Sequence, residues 1–152
     1  MISCTEFIFA YSELFKFLEN KGGKEAVKKY WEHISDTYVS DRLGECIEKE
    51  GLRGCYTYWS RSLSEEAADF KIEYNEGENF FSIDMFICPS RKMLNDHPEM
   101  KPYHNYCGHC DTLYRRVVER YGMTYDIDFS HVDEAKCRIV IREKKDKSDK
   151  SE

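Results

Sequence analysis

The hydrophobic pattern changes period halfway along the chain, and that change restricts the fold more than any other feature. Up to about residue 60 the apolar residues recur at spacings of three and four, the signature of one helix face. From Phe70 they alternate: Phe70, Ile72 and Tyr74, then Phe81, Ile83, Met85 and Ile87, with polar residues between. The turn-forming run Asn75-Glu76-Gly77-Glu78 separates the two stretches, so they read as a hairpin. A second alternating pair follows. Tyr125, Ile127 and Phe129 lead into the polar turn His131-Val132-Asp133-Glu134, and Cys137, Ile139 and Ile141 return.

The helical half divides at its glycines. Phe7, Ala10, Tyr11, Leu14, Phe15 and Leu18 form one stripe, which Gly22-Gly23 ends. Ala26, Val27, Tyr30, Trp31 and Ile34 form a second, with Ser35-Asp36 and Ser40-Asp41 expected as breaks or caps after it. A segment from Asp41 to Glu50 stops at Gly51, and Leu52 to Trp59 is a weaker helix because aromatic and β-branched residues fit helices poorly. Between the hairpins, a short helix is expected at Ser90 to Leu94 after Pro89. A longer one carries Cys107, Cys110, Tyr114, Val117 and Tyr121 as its stripe, with Gly122 as its C-terminal cap.

Helices followed by two hairpins predict an α+β fold: N-terminal helices packed on an antiparallel sheet of about four strands, made of two hairpins separated by one helix. The chain is short enough for a single domain, expected over residues 1–143, with a disordered charged tail over 144–152.

Charge and cysteine content restrict function. With 29 acidic against 23 basic residues the net charge is −6, which argues against binding nucleic acid by neutralising phosphates. No apolar run approaches the ~18 residues of a membrane span, and the opening Met1-Ile2-Ser3-Cys4 lacks the basic start of a signal peptide. A cytoplasmic protein without a membrane or nucleic-acid partner is the expectation. Seven cysteines is an odd number for a secreted disulfide framework, so they read as thiols, metal ligands or catalytic groups. Composition is silent on oligomeric state.

The chemistry concentrates at Cys107-Gly108-His109-Cys110-Asp111. With Asn105 as N-cap, Cys107 falls in the first turn of its helix, where free backbone N–H groups and the helix dipole lower a thiol pKa. Cys107 is then a candidate nucleophile, Asp111 an acid or base one turn on, and His109 or His104 a proton carrier. Arg115 can grip a substrate carboxylate, and Tyr114 and His104 are further substrate contacts. The same cysteines, on an apolar stripe, also fit plain core positions. A tetrahedral metal site is a second reading, with Cys88, Cys107, Cys110 and Cys137 as ligands. Dithiol exchange is a third, since C-G-H-C opening a helix is the disulfide isomerase motif, although no βαβ unit leads into it.

The stretch from Phe80 to Ile141 resembles the L-2-amino-thiazoline-4-carboxylic acid hydrolase family. The resemblance lies in Ile87-Cys88-Pro89, Tyr106-Cys107-Gly108-His109-Cys110-Asp111-Thr112-Leu113-Tyr114-Arg115-Arg116, Gly122 and Ala135-Lys136-Cys137-Arg138-Ile139. It implies a small cytoplasmic α+β protein that opens a cyclic amidine by hydrolysis, with a divalent ion, zinc or manganese, as candidate cofactor. Cys88, Cys107, Asp111 and Cys137 are the positions carried over. Cys110 departs from the pattern and marks a branch of the form Y-C-x-H-C-D. The expected function is therefore hydrolysis of a small cyclic C–N substrate at a Cys/Asp site. The alternative is a non-catalytic domain that binds a small ligand or a metal through its cysteine cluster.

Overall fold

The computed structural model describes residues 4–66 and 68–144. Apart from Lys144, the tail expected over 144–152 lies outside the described residues. In chain order the elements are α1 (Cys4–Ile34), a π-helical segment (Ser35–Gly44), α2 (Glu45–Glu50), α3 (Leu52–Ser64), β1 (Asp69–Asn75) and β2 (Phe80–Ile87). Then come α4 (Pro89–Asp96), α5 (Gly108–Arg120), β3 (Met123–Asp128) and β4 (Cys137–Glu143), with short 3₁₀ turns at Pro98–Met100 and Val132–Glu134.

The two hairpins form one antiparallel sheet of order β1-β2-β4-β3. The fold is α+β, as the period change predicts. Strand β2 is central because it pairs with β1 along one edge and with β4 along the other, in the register Ile83 to Ile139 and Met85 to Cys137. One sheet face carries Phe81, Ile83, Tyr125, Ile139 and Ile141, all buried. The opposite face carries Lys71, Glu73, Asp126, Asp128, Arg138 and Arg142, all exposed. Alternation gives the sheet one apolar face, and α3 packs on it.

Helices complete the core. Leu52, Cys55 and Trp59 of α3 and Val117 and Val118 of α5 are buried in it, and α1, which packs on α5, α4 and the π segment, adds Phe15, Val27 and Trp31. Gly22 and Gly23 leave helical geometry, Gly23 with φ +68°, so α1 is two helices joined at the expected break. Gly51 (φ +59°) separates α2 from α3 in the same way. The aromatic run that weakens the helix prediction after Leu52 is helical nonetheless and extends to Ser64, because Trp59 stacks on Phe81 at 5.6 Å. Tertiary packing outweighs local propensity there.

The expected breaks at Ser35-Asp36 and Ser40-Asp41 do not occur. The backbone continues through them in wider π turns, with Ser35, Asp36 and Ser40 bonded to α5 rather than capping. Ser35 donates its buried hydroxyl to the Leu113 carbonyl at 2.7 Å. Asp36 accepts from Arg116 at 2.8 Å and also from Arg120, whose other arm reaches Ser40 at 2.9 Å. Partial burial pushes the Asp36 carboxyl upward, but the hydrogen bonds from Arg120 and Arg116 prevail and hold it below the usual carboxylate range. The π segment thereby fixes α5 against α1.

The start of α5 also departs from expectation. Asn105 is not its N-cap; residues 104–107 form a turn, and Cys107 itself occupies the cap position in helical geometry without a side-chain cap. Asn105 instead lies over Gly108, where a Cβ would come within 2.7 Å of its amide. The buried stripe of α5 is Leu113, Val117 and Val118, whereas Tyr121 is 41% exposed.

A cysteine-lined cavity as candidate functional site

Four thiols meet around one cavity of about 290 Å³. Cys88 follows β2 and caps α4, Cys107 and Cys110 open α5, and Cys137 starts β4. The β2–β4 register brings Cys137 to the end of the sheet where Cys88 leaves it. Ile83, Met85 and Ile139 supply the sheet side of the cavity, and Trp59, Leu63 and Tyr114 the helical side. The wall is mostly hydrocarbon, aromatic ring and sulfur.

These thiols are protonated at neutral pH. Burial, reinforced by the neighbouring thiols, pushes Cys107 and Cys137 up to about 12. Burial and the charge of Asp111 do the same to Cys110, also to about 12. Cys88 is raised by burial too, although the backbone N–H groups of Arg91 and Ser90 pull it the other way. The expectation of a Cys107 thiolate fails for a definite reason. The N–H groups of Gly108, His109 and Cys110 are taken by the carbonyls of Asn105, Tyr106 and Cys107, so what remains of the helix dipole does not offset desolvation.

His109 lines the cavity beside Cys110. Its Nδ1 faces the Tyr106 carbonyl, which can only accept, so Nδ1 carries the proton and donates. The Nε2 lone pair is left for the Cys110 thiol, 3.4 Å away. Desolvation lowers His109 to about 4, against a slight upward pull from the Tyr106 carbonyl. The ring is neutral at pH 7 and packs edge-on against Tyr11 and Tyr106.

That depression has a pH signature. The folded pKa lies below the ordinary 6.5, so between those values the unfolded chain binds more protons. His109 therefore contributes stability above about pH 6.5 that is lost as pH falls toward 4. Denaturant midpoints from pH 7 to pH 4 should fall more steeply for the native chain than for His109→Gln, and parallel curves would contradict the neutral, desolvated ring.

Other expected site residues lie elsewhere. Asp111 is not on the cavity wall; it accepts from Arg115 Nε and Nη2, both at 2.8 Å. Arg115 also reaches Glu119 at 3.3 Å and the Tyr125 carbonyl, so it is a structural clamp and not a free substrate contact. His104 sits in another depression, 3.7 Å from Glu19. Of the three substrate contacts expected, Tyr114 alone lines the cavity, its hydroxyl held well above its usual pKa by burial. Among the described residues no group of three or more His, Cys, Asp or Glu side chains is arranged to hold a metal ion. The four cysteines share a wall but do not make a tetrahedral cage.

Sequence reasoning missed Arg91. It is the third residue of α4, two after Pro89, on the cavity wall, and its Nε donates to the Val132 carbonyl at 3.1 Å. The Cys-Pro pair that opens α4 was the available signal, since proline suits the first helical position and Arg91 follows within that turn.

No family model matches the chain, and no curated protein does. Among solved structures, the chain is similar to the crystal structure of a mutant Fe(II) unliganded H-NOX protein from K. algicida, at 11% identity and a TM-score of 0.39. The alignment covers 95% of this chain and 65% of that one. No helix among the described residues is long and apolar enough to cross a membrane.

Proposed function

We propose that this chain is a small-molecule-binding domain whose ligand occupies the cysteine-lined cavity. The observation that carries the reading is the combination of a mainly apolar wall with four thiols that stay protonated. Concave, largely apolar sites with a few polar groups are how proteins hold small ligands. Neutral thiols add polarisable surface for a soft or aromatic guest rather than a nucleophile. Trp59 on the wall gives a direct readout. Phenylacetamide should quench its fluorescence saturably and raise the melting temperature, and Leu63→Trp, which fills the cavity, should abolish the effect. A thermal shift that survives Leu63→Trp would place binding elsewhere and end the proposal.

A second reading keeps the hydrolase expectation but moves it. The Cys110–His109 contact at 3.4 Å supports a thiol–imidazole pair, with Cys110 rather than Cys107 as nucleophile and His109 rather than Asp111 as base. The separation of their pKa values, about 12 and about 4, leaves the proton on sulfur until a substrate changes the environment. Turnover of 2-amino-thiazoline-4-carboxylate that is lost in Cys110→Ser and kept in Asp111→Asn would favour this reading; no turnover by the native chain would dismiss it.

A further inference from the structure

Arg91 stands apart from the other partly buried arginines. Arg115 is paired with Asp111 and Glu119, and Arg116 with Glu32 and Asp36. Arg91, also partly buried, has no carboxylate partner among the described residues. Its Nε is fixed on the Val132 carbonyl, which leaves the two terminal nitrogens as a pre-oriented fork. A partly desolvated guanidinium without a counter-charge is costly, and a planar fork matches a carboxylate or similar oxyanion. The other charges on the wall do not serve that role. Lys136 is held by Glu134 at 2.6 Å, and Glu66, though on the same wall, makes no ion pair with Arg91.

We propose that the cavity takes an amphiphilic anion, its apolar body against Trp59, Ile83 and Ile139 and its oxyanion head on the terminal nitrogens of Arg91. This rests on the ligand-binding reading above and adds a charge requirement to it. Arg91 also lies close enough to Cys107 for its charge to oppose the upward pressure on that thiol, which puts the guanidinium at the thiol end of the cavity. A bound anion would therefore stand beside neutral sulfur, where no thiolate repels it.

The test compares phenylacetate with its uncharged isostere phenylacetamide by calorimetry on the full chain. Phenylacetate should bind about tenfold more tightly, the scale of a charge-assisted pair. Arg91→Gln should erase that preference, and Arg91→Lys should restore part of it. Glu66→Gln should keep or enlarge the preference. Equal binding of acid and amide by the native chain, survival of the preference in Arg91→Gln, or its loss in Glu66→Gln alone would overturn the charge requirement while leaving ligand binding intact. Binding of neither probe would overturn both.

Discussion

Cys107 should react with a small methanethiosulfonate at pH 7.5 about thirty- to sixtyfold more slowly than an unburied cysteine. Raising the thiol from 9.0 to about 12 leaves about a thousandth of the usual thiolate fraction, and the thiolate is the reacting form. A more basic thiolate is intrinsically the better nucleophile, with a Brønsted coefficient of about 0.4–0.5, which returns a factor of roughly fifteen to thirty. Restricted access slows the reaction further. Mass spectrometry of peptides after timed quenching separates Cys107, Cys110 and Cys137 from Cys46, whose raising by burial is smaller. A Cys107 that reacts as fast as a free thiol would revive the helix-start nucleophile that the sequence suggests.

Gly54→Ala should destabilise the fold by about 3 kcal/mol or more, although alanine is intrinsically the better helix residue by about 1 kcal/mol. A Cβ on Gly54 would overlap the Cys46 carbonyl group and stand 2.6 Å from the Ile47 nitrogen, all backbone atoms. None of them can turn away, so α2 and α3 must separate, and Leu52, Cys55 and Trp59 lose their fit. Gly44→Ala is the control, because its nearest neighbour is the Tyr121 hydroxyl at 3.2 Å, the end of an exposed side chain. Urea unfolding of the two variants should give clearly different midpoints. A Gly54→Ala chain more stable than the native one would mean that the helices do not cross in contact.

The architecture was legible because its determinants are local. Strand alternation, the glycine pair at 22 and 23 and the turn at Asn75 each act over a few residues, and each appears where the pattern puts it. The ends of their elements place the four cysteines near one another in the sequence reading, and all four line one wall. Their protonation was not legible. Whether the start of α5 faces water or Trp59 and Ile83 depends on contacts across the sheet, and this decides the sign of the Cys107 shift. Asp111 and Arg115 illustrate the same limit. As a pair one turn apart they satisfy each other on α5, while the partly buried guanidinium without a carboxylate partner among the described residues is Arg91 on another helix.

The strand order β1-β2-β4-β3 makes the cavity depend on both hairpins at once. Cys88 and Arg91 follow the first hairpin, Cys107 and Cys110 precede the second, and Cys137 enters only when β4 docks between β2 and β3. Neither hairpin encloses the space alone. A guest in the cavity would therefore be held only by molecules that have completed the central β2–β4 pairing, so occupancy would count finished chains and pass over partly assembled ones.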